Sequence, residues 1–176
     1  MARGFTRLLA DHSCLEIVEG ASNRLPTSCV RPGKPNRAAS GFFASIIREP
    51  LAGEEAVLPV DDKVRRWLAS PRAAVGFALH AAALPHAALG SRPNLVMPGV
   101  SATVDEQIDA LRRIAGDKVD NRVVRVRDSG IATNIGSWLQ SFTAERAVML
   151  GFRADPDFDA IVKALINDER GGMLVA

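Results

Sequence analysis

RLPTSCVRPGKPNRAAS, Arg24–Ser40, is the stretch from which the architecture of this chain is read. Thr27 to Arg31 is predicted as a short strand, ended by Pro32-Gly33, and Pro35-Asn36 continues the segment as a polar loop. Phe42, Phe43, Ile46 and Ile47 then recur at the spacing that gives a helix one apolar face. Strand, polar loop and helix in that order is how α/β proteins build sites, so an α/β fold is expected.

Upstream, Phe5, Leu8 and Leu9 place a helix over about residues 4–13. No Ser, Thr, Asp or Asn cap precedes it, as in the tail of a longer helix. Downstream, Ala56 to Val60 reads as a strand at the edge or end of a sheet, because Pro59 cannot donate to a ladder. Ser70-Pro71 is a helix start, with a side-chain oxygen for the first amides and a proline where no donor is needed; Pro85 stops that helix near Leu84. Asn94 to Met97 is a further strand candidate. Thr103-x-x-Glu106 is a capping box ahead of Ile108, Leu111 and Ile114, with Gly116 at the helix end. Arg122 to Arg127 alternates partly as a strand. A helix is expected near Ala144 to Leu150, ending at Gly151, and a last one capped by Asp155 and Pro156 and carrying Phe158, Ile161, Val162, Leu165 and Ile166. The 176 residues are read as one α/β unit.

A net charge of +2 with scattered basic residues argues against a nucleic-acid partner. No apolar run approaches the roughly 18 residues of a membrane span, and neither a membrane partner nor a signal peptide is expected. Cys14 and Cys29 make neither a disulfide framework nor a metal site, and His12, His80 and His86 lack ligand spacing, so no metal is expected and a reduced, cytoplasmic setting is. Cys29 reads as an inert strand thiol, His80 as a packing residue and Arg72, in a first helical turn, as solvated. Trp67 and Trp138 read as core or pocket-wall residues.

In order, RLPTSCVRPGKPN, VRRWLASPRAAVGFALHAA, LVMPGVSATVDEQIDALRRIAGD and MLGF make the chain resemble the extended short-chain dehydrogenase/reductase (NAD-dependent epimerase/dehydratase) family, within it the D-erythronate dehydrogenases, from about Leu8 to Glu169. The resemblance implies the C-terminal portion of a Rossmann-type, NAD(P)-binding α/β fold with its small substrate-binding lobe. It implies an oxidoreductase that uses NAD to oxidise a short sugar acid. Such enzymes use a Tyr-x-x-x-Lys pair and a Gly-x-x-Gly-x-x-Gly turn at a helix N-terminus. The chain contains no tyrosine and no such turn, and the family spacing would put the tyrosine before Met1 and the lysine near Ala2. No catalytic residue is therefore assigned, and neither activity nor tight NAD binding is expected of these residues alone.

By the same resemblance Val30, Arg31 and Pro32 would lie beside the nicotinamide, and Lys34, Asn36, Ser40 and Arg65 would face the substrate. An ammonium there can hold a carboxylate, and the amide and hydroxyl can bond its hydroxyl groups. Read without the resemblance, Lys34 and Asn36 are solvated turn residues. Arg65 and Arg66 are adjacent, so a strand would send them to opposite faces and leave at least one as a surface charge. Leu68 stands where the subgroup has a polar residue, and residues 129–139 depart from its pattern near Trp138. Other readings are a non-catalytic sugar-acid-binding or interaction protein, or a fragment of a nucleotide-sugar epimerase. Besides the sugar-acid substrate, a homo-oligomer or the missing Rossmann half is the expected partner, because a bared sheet edge and apolar helix faces favour association.

Overall fold

A computed structural model of the chain describes residues 22–28, 40–138 and 140–170. Its first feature is an extended segment that serves two sheets in turn. Ser22–Arg24 (β1) pairs in parallel with Asn94–Val96 (β5), and the Met97 amide donates to the Arg24 carbonyl at 3.0 Å. The run breaks at Leu25-Pro26, where proline offers no donor. Thr27–Ser28 (β2) then pairs in parallel with Arg65–Ala69 (β4), which pairs antiparallel with Val100–Thr103 (β6). The strand expected over Thr27 to Arg31 thus begins where the sequence puts it, and Cys29 to Arg31 lie outside the described residues. Among the described residues Ala56–Leu58 (β3) pairs with Val123–Arg125 (β7), in parallel, and ends just before Pro59, as its proline requires.

The helix over Phe42–Leu51 (α1) buries Phe43, Ile46 and Ile47 completely against the main core, which also takes Leu68 from β4, Ile108 and Leu111 from Val104–Ala115 (α4), and Ile161 and Val162 from Phe158–Arg170 (α8). Leu68 therefore has an apolar environment that suits leucine. A second, smaller core joins Phe77 of Pro71–Ala83 (α2), Leu89 of His86–Leu89 (α3), Leu95 of β5, Ala147 of Glu145–Met149 (α7) and Phe152. His80 belongs to its edge: Nε2 lies 2.8 Å from the Leu150 carbonyl and the ring meets Phe152 edge-on at 4.6 Å. Arg72 is exposed and forms an ion pair with Asp168, linking α2 to α8.

The caps explain why these helices start where they do. Ser70 Oγ accepts from the Ala73 amide at 3.0 Å, with Pro71 in the first turn. The cap of α8 is not Asp155 but Asp157, whose Oδ1 accepts from the Ala160 amide at 2.8 Å. Asp155 instead accepts from the Ser70 amide at 2.8 Å and from its hydroxyl at 2.7 Å. The carboxylate that local sequence assigns to one helix thus anchors the start of another.

The capping box of α4 is complete: the Glu106 amide donates to Thr103 Oγ1 at 3.1 Å and the Thr103 amide to Glu106 Oε2 at 2.7 Å. That backbone donor is the main reason the Glu106 carboxyl titrates below its ordinary value, with Arg65 adding to it. A depressed folded pKa stabilises the fold above the unfolded value, about pH 4.3 for glutamate, and the contribution disappears as pH falls through the folded value. The side chain is half exposed, so the term is small after screening. Glu106→Gln is expected to lower stability at neutral pH by about 0.5–1 kcal/mol. Urea unfolding of both proteins should show that gap closing between pH 5 and pH 3, about the range in which glutamate takes up its proton; a constant gap would rule out the charge as its source.

Candidate functional site

The break between β1 and β2 opens a cavity of about 410 Å³. Arg24, Leu25, Pro26 and Thr27 form one wall, Arg66 and Trp67 of β4 the next, and Ser137, Trp138 and Phe142, after Ser129–Gly136 (α6), the last. Both tryptophans of the chain are therefore cavity walls. The Trp67 indole donates to the Met97 carbonyl at 3.2 Å and meets the Phe142 ring edge-on at 6.4 Å. Trp138 donates to Asn134 Oδ1 at 3.2 Å. Gly99 lets Trp67 come this close, since a Cβ there would lie 3.0 Å from its Nε1 and 2.9 Å from Pro26 Cγ.

Strand alternation separates the two arginines of β4. Arg65 turns outward, donating to the Ser101 carbonyl at 3.0 Å and to Glu106 at 3.2 Å. Arg66 turns inward and is only 2% exposed. Its guanidinium donates to the Ile135 carbonyl and lies 5.1 Å from the Trp138 ring and 5.8 Å from the Phe43 ring. Aromatic faces attract a cation, and the effect grows where water is excluded. Burial pushes the Arg66 pKa down from its ordinary value, yet arginine stays charged. The cavity lining holds two guanidiniums and, among the described residues, no carboxylate. Sequence reasoning passed over Arg66; alternation signals that one of the pair faces inward, but two arginines in a row leave no clue to which.

A second cavity, about 800 Å³, lies between α1 and the β3–β7 pair, with Gly41, Ser45, Glu49 and Asp128 among its walls. Ser40 sits beside its Gly41 wall, its carbonyl accepting from the Phe43 amide. Arg65 lines neither of these two cavities. Val30, Arg31, Pro32, Lys34 and Asn36 lie outside the described residues. No group of three or more His, Cys, Asp or Glu side chains that could hold a metal ion occurs among the described residues. Ser70 and Thr103 direct their side-chain oxygens to their own helix caps and follow no glycine-rich turn, so a dinucleotide pyrophosphate finds no cradle at these two N-termini. No helix among the described residues is long and apolar enough to cross a membrane.

No protein-family model matches the chain. It is 45% identical over 161 residues to D-erythronate dehydrogenase of Cupriavidus necator, covering 92% of this chain and 50% of that one. It is 39% identical over 160 residues to D-erythronate dehydrogenase of Haemophilus influenzae, covering 91% and 51%. The crystal structure of a nucleoside-diphosphate-sugar epimerase from Agrobacterium tumefaciens superposes with a TM-score of 0.93 at 50% identity, covering 97% of this chain and 50% of that one. The chain spans about half the length of the curated relatives it matches. In sequence and in fold it is thus a relative of the extended short-chain dehydrogenase/reductase family, fitting the C-terminal half of proteins such as the D-erythronate dehydrogenases.

Proposed function

We propose that these residues form the substrate-binding half of an NAD-dependent oxidoreductase acting on a short sugar acid of the D-erythronate kind. The observation that carries this is the 45% identity to a D-erythronate dehydrogenase along 92% of the chain. In such a reaction NAD supplies the hydride acceptor, and the protein supplies position. The chain's part is to hold and orient the acid: Lys34, Asn36 and Ser40 toward its polar groups, and Val30, Arg31 and Pro32 as the wall beside the nicotinamide. Arg65 would reach a substrate only by leaving Ser101 and Glu106, which now hold it.

The chemistry of the family needs a tyrosine to move the proton of the substrate hydroxyl, and the chain has none. The pure 176-residue protein is therefore expected to bind D-erythronate without oxidising it. With NAD and D-erythronate present, absorbance at 340 nm should stay flat, while calorimetry should show binding of D-erythronate and none of erythritol, its uncharged counterpart. NADH formation would overturn the first expectation, and the absence of any short sugar-acid binding would overturn the proposal.

A docking role for the same residues is favoured by two surface features. Among the described residues the β1–β5 pair is parallel and two-stranded, whereas parallel strands are normally covered on both faces. Val75 and Leu79 of α2 are 58% and 68% exposed. A second polypeptide would cover surface of either kind. Sedimentation showing a well-folded monomer at high concentration would count against self-association.

A further inference from the structure

We propose that the cavity between α1 and the β3–β7 pair is a binding site for a small organic dication, an alkyl diamine, with Glu49 as the acceptor for one of its ammonium groups. The inference stands apart from the sugar-acid reading, since it concerns a different cavity and a ligand of opposite charge.

It starts from Glu49. This side chain of α1 is a wall of the cavity, in a residue only 8% exposed. Its Oε1 accepts from the Arg48 guanidinium, whereas Oε2 is closed to bulk water and has no hydrogen-bond partner among the described residues. A buried carboxylate oxygen without a donor costs free energy, and a ligand that brings a donor to it recovers that cost. An ammonium group suits this oxygen, because it carries three donors, no acceptor and a charge that strengthens the bond.

The rest of the lining sets the charge and the length of the ligand. Glu54, Glu55 and Asp128 are exposed walls of the same cavity, against one cation, Arg127, among its described residues. Exposed carboxylates draw a cation to the mouth more than they hold it there. They do not converge: no group of three acidic or histidine side chains among the described residues could hold a metal ion. Carboxylates spread along a wall serve two separated charges better than one compact ion. Val57 and Val126, 53% and 55% exposed, add apolar surface for the methylenes between those charges, and Ser45 adds a hydroxyl. A volume of about 800 Å³ lies within the range of small-molecule pockets.

The test is calorimetry of the 176-residue protein with putrescine, with butanediol as its uncharged counterpart and magnesium chloride as a compact cation. Putrescine should bind saturably, butanediol should give no heat of binding, and magnesium should bind about tenfold more weakly or worse. Glu49→Gln keeps the shape of the side chain and removes its charge, and should weaken putrescine binding by about tenfold. The double variant Glu54→Gln/Glu55→Gln should weaken it by about threefold, a difference that high salt removes. Both of its changes are on exposed side chains, so its folding is secure even if Glu49→Gln, which loses the ion pair with Arg48, proves unstable; thermal melts check this. Asp128 is left unaltered because it caps α6. The proposal is overturned by absence of putrescine binding, by butanediol or magnesium binding as tightly, or by unaltered affinity in a folded Glu49→Gln protein. Should that variant not fold, unaltered affinity of the double variant at low salt overturns it alone. Putrescine binding without D-erythronate binding would remove the sugar-acid reading and leave this site standing, and the reverse result would do the opposite.

Discussion

Phe43→Ala is expected to destabilise the fold by about 3–5 kcal/mol, the loss typical of a buried phenylalanine cut back to a methyl. Phe43 is fully buried, lies in the larger core and packs on Phe42 with ring centroids 4.1 Å apart. The buried guanidinium of Arg66 also lies against it, 5.8 Å from the ring. Truncation therefore leaves a cavity and removes one of the two rings beside a desolvated cation. These losses share the same neighbours and should not simply add. Against a typical domain stability of about 5–15 kcal/mol, the change takes away a large share. Urea unfolding should show a lower midpoint at an unchanged slope, with Phe43→Leu losing under about 1.5 kcal/mol because it conserves most of the volume. A loss below about 1 kcal/mol in the alanine variant would mean that the site collapses around the gap and that Arg66 does not depend on this ring.

The elements that were legible in the sequence are those whose signals are local. α1 follows from Phe42, Phe43, Ile46 and Ile47, α2 from Ser70-Pro71, and α4 from the Thr103–Glu106 box, each within a few residues of the helix it starts. The α/β class followed from the order of such elements. β1 was not legible: Ser-Asn-Arg has no apolar alternation, and it is a strand only because β5, some seventy residues downstream, offers its backbone. The cap of α8 was misplaced because Asp155 and Asp157 both flank Pro156, and the sequence does not show that Ser70 would compete for the first of them. The site divides along the same line. Trp67 and Trp138 were legible only as core or pocket-wall residues, and both line the cavity. Arg66 was not, because its inward turn is decided by the pairing of β4 with β2 and β6, while Arg65 is drawn outward by Glu106 from a helix forty residues away.

Gly99→Ala should be nearly as damaging, through crowding instead of loss. The added methyl would lie 2.7 Å from the Leu68 carbonyl oxygen, 2.9 Å from Pro26 Cγ and 3.0 Å from Trp67 Nε1. Two of these three cannot yield cheaply. The Leu68 carbonyl belongs to the central strand of the β2–β4–β6 sheet, held on both sides, and Pro26 sits in the break that shapes the cavity. Overpacking of this kind costs about 1–3 kcal/mol, and backbone involvement places Gly99→Ala toward the upper end. The indole is the group freest to move. Its displacement would stretch the 3.2 Å hydrogen bond to the Met97 carbonyl and change tryptophan emission before any ligand is added. Gly76→Ala supplies the opposite case. Gly76 lies inside α2, and a Cβ added there would meet nothing within 4 Å, so the same methyl should stabilise the helix by about 0.5–1 kcal/mol. Thermal melts of the two variants should therefore shift in opposite directions, with emission altered only in the first. A Gly99→Ala protein as stable as the parent, with unchanged emission, would show that β2 and β4 can part at no cost, and the cavity would then have no fixed wall on the side of Pro26 and Trp67.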